Sequence, residues 1–198
     1  MENDKITINK IEYNIIKRFY RTRGSANQIL TDDKNKLKRI EDRVSFYLAN
    51  NKNNKFWIKE VNFNPEDYIG NTGNEIEVRK EFQRGEQINN LFIEKKQDNI
   101  SSVKYLDYEK NVLVQEYCDK YVRYGTILLT EKQKERIIDL ILLWLSEITI
   151  ENYDLSKNNT LIKVLNDSIS IKMVDLADSK APRYLIKNIK NETRAIYR

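Results

Sequence analysis

The sequence predicts an α+β protein in two lobes: a small antiparallel-sheet lobe first, then a truncated, mainly helical lobe. Three observations carry this expectation. VSFYLA (44–49) and KFWIKEV (55–61) are rich in β-branched and aromatic residues and flank the turn-forming NNKNN, so they read as a hairpin. EIEVRKEFQRGEQINNLFIEKK (75–96) carries helical spacing. TEKQKERIIDLILLWLSEI (130–148) opens with Thr130 and Gln133 as a capping box and is apolar on nearly every face from Ile137 to Leu145, as a helix buried on most sides would be.

The remaining elements fit around these. In KITINKIEYNIIKRFYR (5–21), Ile8, Ile11, Ile15, Ile16 and Phe19 fall at helical spacing and predict an amphipathic helix, making 1–35 a helical extension. RTRGSANQILTDDKN is turn-rich with room for a short strand, and 62–74, with its Pro, Gly and Asn, is a loop. Gly85 inside the 75–96 helix marks either a local cost or a point of close packing. SSVKYLDYE and NVLVQEYC form a strand pair turning at EKN; NTLIKV and SISIKMVDL form a last hairpin turning at LND. A hinge near Glu116–Arg123 divides a first lobe, 36–115, from a second, 116–198, which ends in a charged helical tail.

Composition narrows the chemistry. The 198 residues are 40% hydrophobic and 33% charged, enough for a packed core, and no apolar run is long enough to span a membrane. MENDKITINK has early acids and no apolar stretch, unlike a signal peptide, and the single cysteine, Cys118, suits a reducing cytoplasm. There is no histidine, which excludes imidazole bases, His triads and His-ligated zinc. Acid–base work must fall to carboxylates, Lys or Tyr. A net charge of +5 favours polyanionic company, and Arg183, Lys187, Lys190, Arg194 and Arg198 against Glu192 make the tail basic.

One motif concentrates chemistry. NYDLSKNNTLI (152–162) places Asp154 five residues before Asn159, directly after the buried helix and directly before an apolar strand; Asp175 follows the next strand in KMVDLAD. With Lys59 in the strand FWIKE, an acid on the following helix and the hinge segment VLVQEYC, the order over residues 36–180 resembles the protein-kinase-like fold superfamily. It is similar in scale to small atypical protein kinases, lipopolysaccharide-core sugar kinases and minimal bacterial effector kinases.

The resemblance implies a phosphotransferase using ATP and Mg²⁺. In it Lys59 contacts the nucleotide phosphates, with Glu81, or alternatively Glu86, holding the lysine. Gln115 takes the gatekeeper position, and the Glu116 carbonyl and Cys118 amide face adenine. Asp154 accepts or orients the proton of the acceptor hydroxyl, and Asn159 and Asp175 bind Mg²⁺, a hard cation that prefers oxygen ligands. The acceptor is a hydroxyl on a protein or a sugar-like small molecule, with protein favoured because the short second lobe would enclose little. The resemblance also has departures. No glycine-rich turn precedes VSFYLA, where RIEDR stands instead; RGSAN (23–27) is the alternative cover for the phosphates, though far upstream. Tyr153 and Asn152 replace the usual basic residue before the catalytic acid, and Leu176 and Ala177 replace Phe-Gly after the metal acid.

Plainer readings stand beside these. Lys59 could be a solvated strand lysine, Glu81 a partner of Arg79 or Arg84, and Asp154 and Asn159 turn residues. Trp57 and Trp144 read as core, Cys118 as a small hinge residue and Asp178 as a surface or cap residue. A catalytically silent pseudokinase, or a nucleic-acid contact through KRFYRTR and the basic tail, are the competing functions.

Overall fold

The computed structural model describes residues 4–21, 30–31, 44–61, 74–147, 159–166, 168–174 and 176. The expected loop 62–74 up to its last residue, both candidate phosphate-covering turns (23–27 and 39–43), Asp154 with its neighbours, Asp175, Asp178 and the basic tail lie outside them. The chain divides into two compact units, Met1–Gln83 with Lys104–Tyr117, and Arg84–Val103 with Cys118–Arg198.

The first unit is an antiparallel sheet. Its strands are β1 (Lys5–Ile8), β2 (Ile11–Arg21), β3 (Leu30–Thr31), β4 (Val44–Asn51), β5 (Asn54–Val61), and, after helix α1 (Asn74–Glu94) and the short β6 (Ile100–Ser102), β7 (Tyr105–Glu109) and β8 (Val112–Glu116). They run in the order β1-β2-β4-β5-β8-β7, with β3 paired to the far end of β2. The sheet curls. Asn9, in the turn between β1 and β2, reaches β7: its side chain donates to the Asp107 carboxylate (2.7 Å) and the Tyr108 carbonyl (3.0 Å), and its backbone N–H donates to Glu109 (2.7 Å).

The helix expected over 5–21 is instead this first hairpin. Asn9 and Lys10 both take left-handed backbone (φ 47° and 67°), the geometry of a two-residue turn whose twist matches its strands. Ile8 and Ile11, three apart in sequence, face each other across that turn, and β2 carries a bulge further on. Ile15 pairs with Ala49 and Lys17 with Leu48, leaving Ile16 unpaired and half exposed. Ile11, Ile15 and Phe19 stand four apart, a spacing that a period of two satisfies as well as a helix does; the bulge then puts Ile15 on the core face and Phe19 on the other, beside Trp57.

Strand parity sorts the two faces of the sheet. Ile8, Tyr13, Tyr47, Ala49, Ile58 and Val114 close a core on one face, with Ile6, Ile15, Phe56 and Val112 packed against it. Lys59 lies one residue on from Ile58 and so projects from the opposite face. Trp57 shares that face. It is only half-buried rather than core, in a cluster with Phe19 (centroids 5.0 Å apart) and Phe46 (6.0 Å).

The second unit contains the latter part of α1, helix α2 (Glu131–Glu147), and the sheet β6-β11-β10-β9, where β9 is Val122–Arg123, β10 Thr160–Leu165 and β11 Ser168–Met173. SSVKYLDYE, expected as one strand, is therefore two. Ser101 and Ser102 belong to β6, parallel to β11, while Tyr105–Glu109 lies in the other sheet. The break falls at Val103 and Lys104, where the Val103 N–H bonds the Met173 carbonyl (2.9 Å) and the Lys104 carbonyl accepts from the Glu116 N–H (2.9 Å), so the chain passes from one ladder to the other. The Thr130–Gln133 capping box forms in both directions, Gln133 N–H to the Thr130 hydroxyl (3.3 Å) and Thr130 N–H to the Gln133 amide oxygen (2.9 Å). α2 packs on α1 through Trp144, fully buried and stacked on Phe92 at 5.2 Å. No helix among the described residues is long and apolar enough to cross a membrane.

Candidate functional site

Lys59 is the one lysine among the buried residues described, with 5% of its surface exposed. A lone ammonium in such a place would be costly, and the sequence supplies its counter-charge on α1. The Lys59 Nζ donates to Glu81 Oε2 at 2.8 Å, and the two side chains are 7% and 2% exposed. The second carboxylate oxygen, Oε1, accepts a hydrogen bond from the Tyr105 hydroxyl on β7 at 3.1 Å. Both oxygens of Glu81 are thus engaged from different strands, which fixes the carboxylate plane and, through it, the ammonium. A buried pair of this kind is seldom worth its desolvation cost as a stabiliser alone. Chemically it is a positive charge held at a defined point, suited to an anionic ligand.

Helical phase decides between Glu81 and Glu86. Val78, Glu81, Gly85, Ile88 and Phe92 recur at spacings of three and four and form the buried stripe of α1, whereas Glu86 is exposed. The Arg84 guanidinium donates to the Leu176 carbonyl at 2.7 Å. Gly85 is the close-packing point. It is buried and its carbonyl accepts from the Ser102 hydroxyl at 3.1 Å.

The hinge residues are placed as follows. Gln115 on β8 is buried, opposite Trp57 on one side and Tyr105 on the other. Glu116 closes β8, its carboxylate accepting from the Lys104 N–H at 2.7 Å. The Cys118 carbonyl accepts from the Tyr121 N–H (3.2 Å), and the change of unit falls between Tyr117 and Cys118.

In the second unit Asn159 is buried at the start of β10, and its carbonyl accepts from the Val174 N–H at 2.9 Å. That bond closes the open end of the β10–β11 hairpin, so Asn159 is anchored beside the residue that precedes Asp175 in sequence. Leu176, the residue after it, is buried at 2% exposure. Asp154 and Asp175 themselves lie outside the described residues. Among the described residues no group of three or more His, Cys, Asp or Glu side chains could hold a metal ion.

Sequence reasoning missed Tyr105 and Arg84. Tyr105 opens a strand after the crossover at Val103–Lys104, and the fused-strand expectation concealed which ladder it joins. Arg84 was visible only as a possible partner of Glu81, because the backbone carbonyl it donates to is 92 positions away.

No protein-family model matches the chain, and no curated protein matches it in sequence. Its structure is similar to the Rio2 kinase of Chaetomium thermophilum, solved as an ADP/Mg²⁺-phosphoaspartate complex, with a TM-score of 0.54 and 12% sequence identity. The match covers 90% of this chain and 64% of that one, so the chain spans less than two thirds of the kinase structure it resembles. With its curled antiparallel sheet, the two α-helices among the described residues and mixed α+β content, the chain has a truncated protein-kinase-like fold.

Proposed function

We propose that this protein is a minimal phosphotransferase that moves the γ-phosphate of ATP to a hydroxyl, with Mg²⁺ as the required cation. The observation that carries the reading is the buried Lys59–Glu81 pair, locked by Tyr105, on a kinase-like sheet. The residues suit a nucleotide triphosphate. Lys59 offers a fixed ammonium for the phosphates, and Asn159 with Asp175 offers oxygen donors for a hard cation. Bound Mg²⁺ would neutralise phosphate charge and align the transferring group. The likeness to a kinase solved with ADP and Mg²⁺ supports the same choice of ligands.

In this reading Glu81 keeps Lys59 aimed and Tyr105 keeps Glu81 aimed. Gln115, Glu116 and Cys118 form the strand-to-hinge edge for the adenine base. Asp154 takes the proton of the acceptor hydroxyl as its oxygen bonds to the γ-phosphorus and the bond to the bridging oxygen of ADP breaks. Little covalent chemistry falls to the protein, which suits a chain with no histidine. The favoured acceptor is a protein side chain and the favoured place of action is the cytoplasm.

The test is a thermal-shift titration with ATP, with and without Mg²⁺, on the wild type and Asp175→Ala. ATP at a hundredfold over its dissociation constant stabilises by about 2.7 kcal/mol, a rise of roughly 5–11 °C for a chain of this size. The rise should need Mg²⁺ and vanish in the variant. Transfer from γ-labelled ATP to protein or to small hydroxyl compounds then names the acceptor. A Mg²⁺-dependent rise with no transfer that Asp154→Ala abolishes would make the protein a pseudokinase. No rise at millimolar ATP would overturn the nucleotide reading.

A further inference from the structure

The sheet face that carries the Lys59 ammonium also carries a row of aromatic rings. Along β5 it presents Trp57 and Lys59, two residues and about 7 Å apart. In register beside them stand Leu48 and Gln115 on either side of Trp57, and Phe46 and Leu113 on either side of Lys59. Phe19 on β2 pairs with Phe46 one strand further out. Toward β8 this face is covered: Lys59, Leu113 and Gln115 are buried. Toward β2 it is not, and Phe19, Phe46 and Trp57 are left half-buried. The three rings pack on one another. Trp57 lies 5.0 Å from Phe19 with planes at 48°, and 6.0 Å from Phe46 with planes at 30°. That packing holds the indole at a fixed tilt, next to a fixed positive charge.

Core formation does not account for this shelf. The core that Ile58 and Val114 help close is on the opposite face, and three rings left half in water forgo part of the free energy that their burial would bring. An aromatic surface beside one held ammonium instead matches a ligand with a flat apolar end and an anionic end.

We infer that the base of the bound nucleotide stacks on Trp57, and that this stack sets the base preference, so that the site takes ATP and GTP alike. The inference rests on the assignment of Lys59 to the nucleotide phosphates under Proposed function. Stacking does not read the edge of a base, since every base has a π-face. The side chains of Phe19, Phe46 and Leu48 have no donor or acceptor with which to tell the amino group of adenine from the carbonyl of guanine. One backbone carbonyl and one amide, as offered to the base in that reading, are met by either purine: adenine brings an N6 donor and an N1 acceptor, guanine an N1 donor and an O6 acceptor. A purine covers more of an indole than a pyrimidine does, so CTP should bind more weakly than either.

The test is calorimetry in excess Mg²⁺ with ATP, GTP, CTP and inorganic tripolyphosphate, on the wild type, Trp57→Leu and Trp57→Phe. ATP and GTP should bind the wild type within about threefold of each other, because one stack serves both. Trp57→Leu should weaken both by roughly 5- to 140-fold, the loss of one base stack, and Trp57→Phe, which keeps a ring, should lose less. Tripolyphosphate should bind all three proteins within about twofold, since Lys59 is untouched. GTP bound more than about tenfold more weakly than ATP would show that the base edge is read, and would overturn the inference. So would Trp57→Leu binding ATP as the wild type does, or losing tripolyphosphate in step with ATP. A wild type that binds tripolyphosphate as tightly as it binds ATP and GTP would overturn the inference and leave Lys59 as a phosphate site. A wild type that binds none of the ligands would sink the underlying reading with it. If Trp57→Leu does not fold, tryptophan emission decides. Trp144 is fully buried in the second unit, so quenching by ATP and GTP should be present in the wild type and vanish in Trp57→Phe. Bound nucleotide that does not quench, or quenching that persists in Trp57→Phe, would overturn the stack.

Discussion

Lys59→Met strands a carboxylate. Glu81 is 2% exposed and its Oε2 faces the Lys59 ammonium at 2.8 Å; methionine fills the space but removes that counter-charge, while the Tyr105 hydroxyl stays on Oε1. Removing one member of a buried pair costs about 3–5 kcal/mol. A second route to the magnitude agrees. The stranded group can escape its burial penalty by taking a proton, at about 1.36 kcal/mol for each pH unit above the ordinary Glu value near 4.3, so the ceiling at pH 7 is about 4 kcal/mol. For a chain of this length that is a fall in Tm of roughly 6–16 °C. Lys59→Met/Glu81→Leu removes both charges and should recover to within about 1 kcal/mol of the wild type, the remainder being the Tyr105 hydroxyl bond it loses. The assay is thermal and urea unfolding followed by circular dichroism at pH 5 and pH 7, and both variants should also lose the ATP-induced rise in Tm. A single variant as stable as the wild type, or a double variant no better than the single, would refute the idea that the pair is retained at a cost in stability.

Gly85→Ala tests the sign of a propensity rule. In an exposed helix the change would gain about 1 kcal/mol, but Gly85 is buried with its carbonyl bonded to Ser102 on β6, so an added methyl should force α1 from the strand and lower stability by about 1–3 kcal/mol; a measured gain would deny the close approach. At alkaline pH the relevant group is Tyr47. Burial first, then its hydrogen bond to Glu60 (2.6 Å), raises its pKa above the usual 10, so the stability tied to its proton is complete below pH 10 and is lost as pH rises beyond it. Tyr47→Phe should flatten the alkaline limb of the stability profile, and an unchanged limb would place the effect elsewhere.

The elements legible in the sequence were those whose local chemistry and tertiary role agree. The capping box of α2, the β4–β5 hairpin and the β10–β11 hairpin each carry their own turn or cap, and Lys52 and Asn166 take the left-handed backbone those turns need (φ 54° and 52°). The first hairpin was not legible because its information is nonlocal. Ile16 has no partner only because β4 opposes β2 with one residue fewer, and nothing within 5–21 announces that. The Lys59–Glu81 pairing was half legible: a strand lysine and a helix acid could be proposed from order alone, while Glu81 and Glu86 both stayed open until the burial of Val78, Ile88 and Phe92 fixed the phase of α1. Tyr105 and Arg84 lay beyond reach for a physical reason. Each acts on a group whose position is set by chain reversal elsewhere, Glu81 by the docking of α1 on the first sheet and the Leu176 carbonyl by the end of β11. A sequence displays the residues that touch a ligand more readily than those that aim them, because the former must be of one chemical type while the latter need only reach. The aiming residues are therefore where structure adds most. In this chain Tyr105 is such a residue: its hydroxyl donates to the carboxylate that holds Lys59, and no local pattern around it announces that partner.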